Sequence, residues 1–343
     1  MEKKMTWLDL EPDERKSILT TLSSSKGINE NAVEKDWWVS MILEALFSLP
    51  VRESLVFKGG TSLSKGWNLI NRFSEDIDLA IDRSFFGFGK ELSKNQRDKL
   101  RKTSKKFIDE TLSEALSNKL IDLGLEGNFN MVVPETKESD IDPVVLYVEY
   151  ESILDPNPYI AEKVKLEISC RSMREPFEAI MMRSMIAEAF SDELFADEAV
   201  SVQTVLPGRT FLEKVFLLHE EFNRIGGCSH LERLTRHMYD LEKMMDKPFA
   251  IEAMHNQKLY AEIVEHRSKF TAWKGFDYRT NHPSTISFLP PKQIEAVLRK
   301  DYSNMQQHFI YGPSLNYDDL IKRLELLQQY FRTIENDAEF FSI

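Results

Sequence analysis

Cysteine is scarce. Cys170 and Cys228 are the only two in 343 residues. They cannot build a disulfide framework, and they have no zinc-ligand spacing. A reducing compartment is expected. Long apolar runs are missing too: no stretch approaches the roughly 18 residues of a membrane helix. The N-terminus, MEKKMTWLDLEPDERK, lacks the apolar core of a secretory signal. These absences point to the cytoplasm, with no membrane partner. Basic residues are in deficit. Lys and Arg number 44 against 56 Asp and Glu, a net charge of -12. That excludes a chain that coats nucleic acid by bulk charge, though a local basic groove stays open. There is no internal repeat and no low-complexity tract.

What is present divides into three parts. Residues 1–50 read as a helical segment. In SKGINENAVEKDWWVSMILEALFSL the apolar positions Val33, Trp37, Trp38, Met41, Ile42, Leu43 and Leu46 keep near-helical spacing, with Asn29 or Asn31 as cap. Residues 51–172 read as a core of strands and helices. SLVF is a short apolar strand, and TSLSKGWNLI a short helix. DIDLAID alternates strictly, and residues 91–124 form a long polar helix ending at Gly124. NFNMVVPE, PVVLYVEYES and KVKLEISC are strand candidates. From 173 to 343 the pattern is mostly helical, with VSVQTVLPG a strand or an extended linker. The expected class is α+β: a small mixed core between helical flanks.

Residues 58–82, KGGTSLSKGWNLINRFSEDIDLAID, carry the chemistry. On a strand, positions i and i+2 share a side, so Asp76 and Asp78 project together with Ile77 behind them. Paired hard oxygen donors suit Mg²⁺, which takes one or two carboxylates plus substrate phosphates. Gly59 and Gly60 permit a tight turn close to an anion. Thr61 and Ser62 open a helix and offer hydroxyl and N–H donors. A carboxylate from a further strand would complete a two-ion site. Glu167 is best placed for it, opposite the apolar Val164, Leu166 and Ile168; Glu149 and Glu151 compete. Each feature alone has a plain alternative. A Gly-Gly-Thr is usually a turn, and Asp-x-Asp is usually the wet face of a strand.

At these residues the chain resembles the AbiEii/AbiGii nucleotidyltransferase toxins, within the polymerase-beta-like nucleotidyltransferase superfamily. The resemblance rests on Lys58, Gly59, Gly60, Thr61, Arg72, Ser74, Asp76, Ile77, Asp78 and Leu79. It continues in VEKDWW (33–38), LPGRTFLEKVFLLHE (206–220) and RHMYDL (236–241), and more weakly in LRKDYSNMQQHFIYG (298–312). Fourteen residues separate Thr61 from Asp76, slightly long for the superfamily, and an extra helical turn is expected there.

The resemblance implies a polymerase-beta-like core. It also implies transfer of a nucleoside monophosphate from an NTP, with Mg²⁺, and GTP or CTP as the favoured nucleotides. Lys58, Arg72 and Ser74 join Gly59, Gly60, Thr61 and Ser62 as nucleotide-binding residues. Asp76, Asp78, Lys214 and Asp240 become catalytic, with Asp76, Asp78 and Glu167 on metal. Lys214 would neutralise a triphosphate; Asp240 would orient that lysine or accept a proton. An RNA acceptor, notably tRNA, a cognate antitoxin and a role in abortive infection and phage defence are implied as well. The basic run Lys90, Lys94, Arg97, Lys99, Arg101, Lys102, Lys105 and Lys106 allows an RNA acceptor, as do the aromatics Trp273, Phe276 and Tyr278. Solvated helix and packed core are their plain readings. Alternatives in function are transfer to a protein or small molecule, as in AMPylation, and a non-catalytic NTP-binding module.

Overall fold

The structure is a computed structural model that describes residues 5–334 apart from 137, 173–174, 225–226, 229–230, 272 and 274. Residues 1–4 of the expected N-terminal segment and 335–343 of the expected C-terminal part lie outside the described residues. The chain forms two compact units, Met1–Asn68 with Phe73–Val205, and Leu69–Arg72 with Leu206–Ile343.

The first unit holds the sheet. Its strands are β1 (Leu55–Lys58), β2 (Ile77–Ile81), β3 (Phe129–Val132), β4 (Val144–Tyr150), β5 (Lys163–Ser169), β6 (Phe177–Met182) and β7 (Val200–Val205). They lie in the order β3-β4-β5-β2-β1-β7-β6. The β2/β5 and β1/β7 pairs are parallel and the rest antiparallel. β1 lies in the interior of the sheet, and its apolar Leu55, Val56 and Phe57 are all buried. β4 and β5 alternate buried and half-buried residues, as their period-two patterns require.

Helix α1 (Pro12–Lys26) precedes α2 (Glu30–Ser48), which Asn29 caps by accepting from the Asn31 N–H at 2.9 Å. α2 is buried nearly all round, including Glu34, Lys35 and Asp36. Trp38 stacks on Tyr150 of β4, with ring centres 5.1 Å apart. A short turn, α3 (Gly59–Thr61), follows β1 and runs on as a π-helical turn, Ser62–Gly66. The long polar helix is α4 (Lys94–Lys106), a π turn at Phe107–Leu112 and α5 (Ser113–Asp122). Gly124 follows it at φ +87.

Two expectations are corrected. The sheet does not stop near 172, because β6 and β7 extend it within the stretch read as mostly helical. FEAIMM carries helix-forming residues and no alternation, and its pairing with β7 overrides propensity. Nor is the long gap before Asp76 an extra helical turn. The helix ends at Gly66, and residues 67–76 are irregular.

After α6 (Met185–Ala189) the second unit is helical: α7 (Pro207–Asn223), α8 (Thr235–Met244), α9 (Pro248–His255), α10 (Gln257–Phe270), α11 (Glu295–His308) and α12 (Tyr317–Thr333). Pro207 starts α7 at the position where a missing N–H costs nothing. α7 packs on α8, α9 and α10, and α8 on α11 and α12. The segment 69–72 joins this unit through its backbone: Arg72 bridges Ile310, and the Tyr311 N–H donates to the Asn71 carbonyl at 3.1 Å.

Candidate active site

In the first unit, strand register assembles the acidic face. Lys58 of β1 lies opposite Asp78 of β2, and Asp78 opposite Glu167 of β5. The three share one row on one side of the sheet. Phe57, Leu79 and Ile168, one residue along, turn into the core. Asp76 stands immediately before β2.

The Gly-Gly turn is fitted onto this row. Gly59 has φ +79, and a Cβ built there would lie 1.9 Å from Asp78 Oδ2. Only glycine lets the turn and the carboxylate approach this closely. The Thr61 hydroxyl donates to the Asp76 carbonyl at 2.5 Å and lies 2.9 Å from the Ser74 hydroxyl. Ser62 Oγ donates to the Gly59 carbonyl at 2.9 Å. The Thr61 side chain therefore staples the turn to the Asp-x-Asp segment, and the Ser62 side chain closes the turn on itself. What they leave for an anion is the start of a helix, where N–H groups have no helical acceptor. Gly59→Ala is expected to cost about 1–2 kcal/mol from the left-handed backbone alone, and to push Asp78 aside. Thermal denaturation and Mn²⁺ titration of the variant check it; wild-type values in both would contradict the close approach.

The two Asp carboxylates fit a Mg²⁺ ion in chemistry, and the glycine-lined approach to Asp78 fits a phosphate-bearing ligand beside it. Among the described residues, no group of three or more His, Cys, Asp or Glu is arranged to hold a metal. Glu167 is in the right row, but its carboxylate pairs with the Lys165 ammonium two residues earlier on β5. Burial pushes the Lys165 pKa down; the Glu167 hydrogen bond and the charges of Glu167 and Asp76 more than reverse this. Lys165 is a site residue that sequence reasoning missed. Its signal was the i, i+2 spacing to Glu167. Lys58 Nζ lies 3.7 Å from the buried Glu175.

In the second unit, three charged groups from distant sequence meet. Arg72 donates from Nε and Nη2 to the two oxygens of Asp240, each at 2.7 Å. Lys214 Nζ stands 2.8 Å from Asp240 Oδ2. Asp240 is 0% exposed, and both cations are buried. Burial alone would raise the Asp240 pKa, but the charges and hydrogen bonds of Arg72 and Lys214 hold it well below the carboxylate range. Asp240 is thus ionised and has both oxygens engaged. These contacts hold the Arg72 and Lys214 side chains in place. Burial lowers the Lys214 pKa; Asp240 opposes this and Arg72 adds to it. His237 Nδ1 lies 3.4 Å from Lys214 Nζ. Burial and then Lys214 and Arg236 hold this imidazole neutral. The structure thus groups Lys58, Gly59, Gly60, Thr61, Ser62, Ser74, Asp76, Asp78 and Glu167 in one unit, and Arg72, Lys214 and Asp240 in the other.

The Asp240 shift has a sign that can be measured. Its folded pKa lies below its ordinary 3.8, so its stabilisation is fully present above that value and is lost as the pH falls. Urea midpoints should fall between about pH 5 and pH 3 in the wild type and flatten in Asp240→Asn. Equal slopes would contradict the assignment.

The aromatic and basic candidates differ. Phe276 packs edge-on against His219 and Tyr278, with ring centres 5.5 and 5.0 Å away. The Trp273 N–H donates to the Tyr278 hydroxyl at 3.1 Å, and Arg224 lies 4.7 Å from the Trp273 ring centre. On α4, Lys99, Lys102 and Lys106 line a surface hollow with Asn95, Asp98 and Thr103. Arg101, Lys105 and Lys106 pair with Asp140, Asp109 and Glu110.

The family described as "Nucleotidyl transferase AbiEii toxin, Type IV TA system" matches residues 42–330. The chain belongs to this family. It is a nucleotidyltransferase toxin of a type IV toxin–antitoxin system, a family for which NTP substrates and an antitoxin partner are implied. MenT4, a nucleotidyltransferase toxin from Mycobacterium tuberculosis H37Rv, shares the fold at a TM-score of 0.51 and 17% identity, over 94% of this chain and 91% of that one. JHP933 from Helicobacter pylori aligns at a TM-score of 0.42 and 15% identity, over 89% and 93%. No curated protein sequence matches the chain. The α+β nucleotidyltransferase class expected for this AbiEii-family toxin agrees with its mixed seven-stranded sheet. Among the described residues, no helix is long and apolar enough to cross a membrane.

Proposed function

We propose that this toxin transfers a nucleoside monophosphate from an NTP, GTP or CTP foremost, to an RNA acceptor such as tRNA. In this reading the transfer is Mg²⁺-dependent and arrests growth in abortive infection. The observation that carries the site assignment is the fit of Asp78 Oδ2 against Gly59, with Thr61 tied to Asp76. That hydrogen bond joins the turn to the segment just before β2.

Asp76 and Asp78 would hold the Mg²⁺. When bound, the ion neutralises charge on the phosphate oxygens. The Gly59–Gly60 turn presents backbone N–H groups to the β,γ-phosphates. Within the second unit Asp240 keeps Lys214 in place and Arg72 holds Asp240 in turn; the resemblance to the family is what assigns that lysine to a triphosphate. The acceptor hydroxyl oxygen bonds to the α-phosphorus, the bond to the bridging oxygen breaks, pyrophosphate leaves and the hydroxyl proton is released. Positioning and charge supply the catalysis, as in other phosphoryl transfers. The Lys99, Lys102 and Lys106 face of α4 supports an RNA acceptor.

The test is label transfer. Protein, Mg²⁺ and each α-³²P-labelled NTP in turn are incubated with total tRNA, and separately with cell protein, beside an Asp76→Ala/Asp78→Ala control. Label on RNA from one nucleotide, lost in the control, is the expected result. Label on protein replaces the RNA reading with protein modification. No label on either acceptor rejects both.

A further inference from the structure

Three successive charged residues of α2, Glu34, Lys35 and Asp36, are buried. Such groups are almost never fully buried unless paired. Each is paired, and each with a different part of the chain.

Glu34 accepts from the Ser152 hydroxyl and from the Ile153 N–H at 3.3 Å, in the loop between β4 and β5. Lys35 Nζ donates to Glu75 Oε2 at 2.8 Å and to the Ala161 carbonyl at 3.0 Å. Asp36 accepts from Lys65 Nζ through Oδ1 and from the Met185 N–H through Oδ2, both at 2.7 Å. Lys65 also donates to the Arg183 carbonyl at 2.9 Å.

Two of these tethers end beside the candidate site. Glu75 immediately precedes Asp76 in the chain. Lys65 lies in the π-helical turn that continues the Gly59–Thr61 helix. The stretch around Glu75, residues 73–76, is irregular, with no helix or strand of its own. α2 is rigid by comparison, packed on α1, α5 and α6 and against β5 and β7. Buried ion pairs are a poor way to add stability, since apolar residues of the same size do as well or better. Directionality is what they add.

We propose that Lys35 and Asp36 are positioning residues for nucleotidyl transfer. Lys35, through Glu75, sets the Asp76 carboxylate. Asp36, through Lys65, sets the Gly-Gly turn. The inference rests on the reading that Asp76 and Asp78 hold the divalent ion and that the turn receives the triphosphate. The two tethers are separable, so they should affect different ligands.

The experiment uses the full chain and two pair-deleting variants, Lys35→Met/Glu75→Met and Asp36→Leu/Lys65→Met. Removing both partners avoids a stranded buried charge. Mn²⁺ binding is read by the loss of its free electron-spin resonance signal, NTP binding by fluorescence of a labelled analogue without metal, and folding by thermal denaturation. The Lys35/Glu75 variant should bind Mn²⁺ about tenfold more weakly, with metal-free NTP binding unchanged. The Asp36/Lys65 variant should show the reverse split, with NTP binding about tenfold weaker. Lys35→Arg, which keeps the ion pair, should restore Mn²⁺ binding to within about threefold of wild type. If a double variant does not fold, Glu75→Gln and Asp36→Asn are read in its place, with the same split expected. Folded variants with wild-type affinity for both ligands overturn the inference and leave the tethers merely structural. An Asp76→Asn/Asp78→Asn control that binds Mn²⁺ like wild type overturns the metal reading itself, and this inference with it.

Discussion

Asp78→Asn is expected to lower nucleotide transfer by about 10²–10³-fold while leaving the fold in place. The substitution keeps size and shape, so the close approach of Gly59 survives. It removes one of three carboxylates, the others being Asp76 and Glu167, from a face that also carries the cations Lys58 and Lys165. Negative charge on the triphosphate would then meet a face with one hard anionic donor fewer for the ion that screens it. Single-turnover label transfer and thermal denaturation together check the prediction. Activity within tenfold of wild type, in a folded variant, would show that Asp78 is only the wet face of its strand.

Asp240→Asn should destabilise the second unit by about 3–5 kcal/mol, the cost of breaking a buried ion pair by removing one partner. The reason is arithmetic in charge. Asp240 stands between two buried cations, Arg72 at 2.7 Å and Lys214 at 2.8 Å. Without its carboxylate, two positive charges face each other in a site from which water is excluded. Deleting one cation leaves a neutral pair, so Arg72→Met and Lys214→Met should each cost less than Asp240→Asn. A loss of that size is a large share of the 5–15 kcal/mol typical of a domain. Urea unfolding of the four proteins gives the order. If Asp240→Asn costs less than about 1 kcal/mol, the triad is not the buried, coupled group described above. The triple variant Arg72→Met/Asp240→Leu/Lys214→Met separates stability from activity. It should regain most of the lost stability and remain inactive.

Several elements are legible in the order of residues. β4 and β5 show their alternation, and α2 its apolar spacing, because period two and period 3.6 are local signals. The Gly-Gly turn and the Asp-x-Asp strand are readable for the same reason: their chemistry lies within one short stretch. β6 is not readable. Nothing in FEAIMM marks a strand, and only β7 beside it makes it one. Alternation places Glu167 on the face opposite the core, where register sets it beside Asp78, yet its pairing with Lys165 depends on rotamers that alternation does not specify.

The amino-acid sequence alone determined the strand–turn–strand unit that carries Gly59 and Asp78, and the helical character of the C-terminal half. Those features need only residue types and spacing. Tertiary structure alone decided that the Thr61 hydroxyl reaches the Asp76 carbonyl. It alone decided that Asp36 reaches Lys65 and Met185, and that Arg72 saturates an aspartate 168 residues away. Each of these is a bond between groups that no local pattern relates. Which partner a buried charge finds is settled by the packing that excludes water around it.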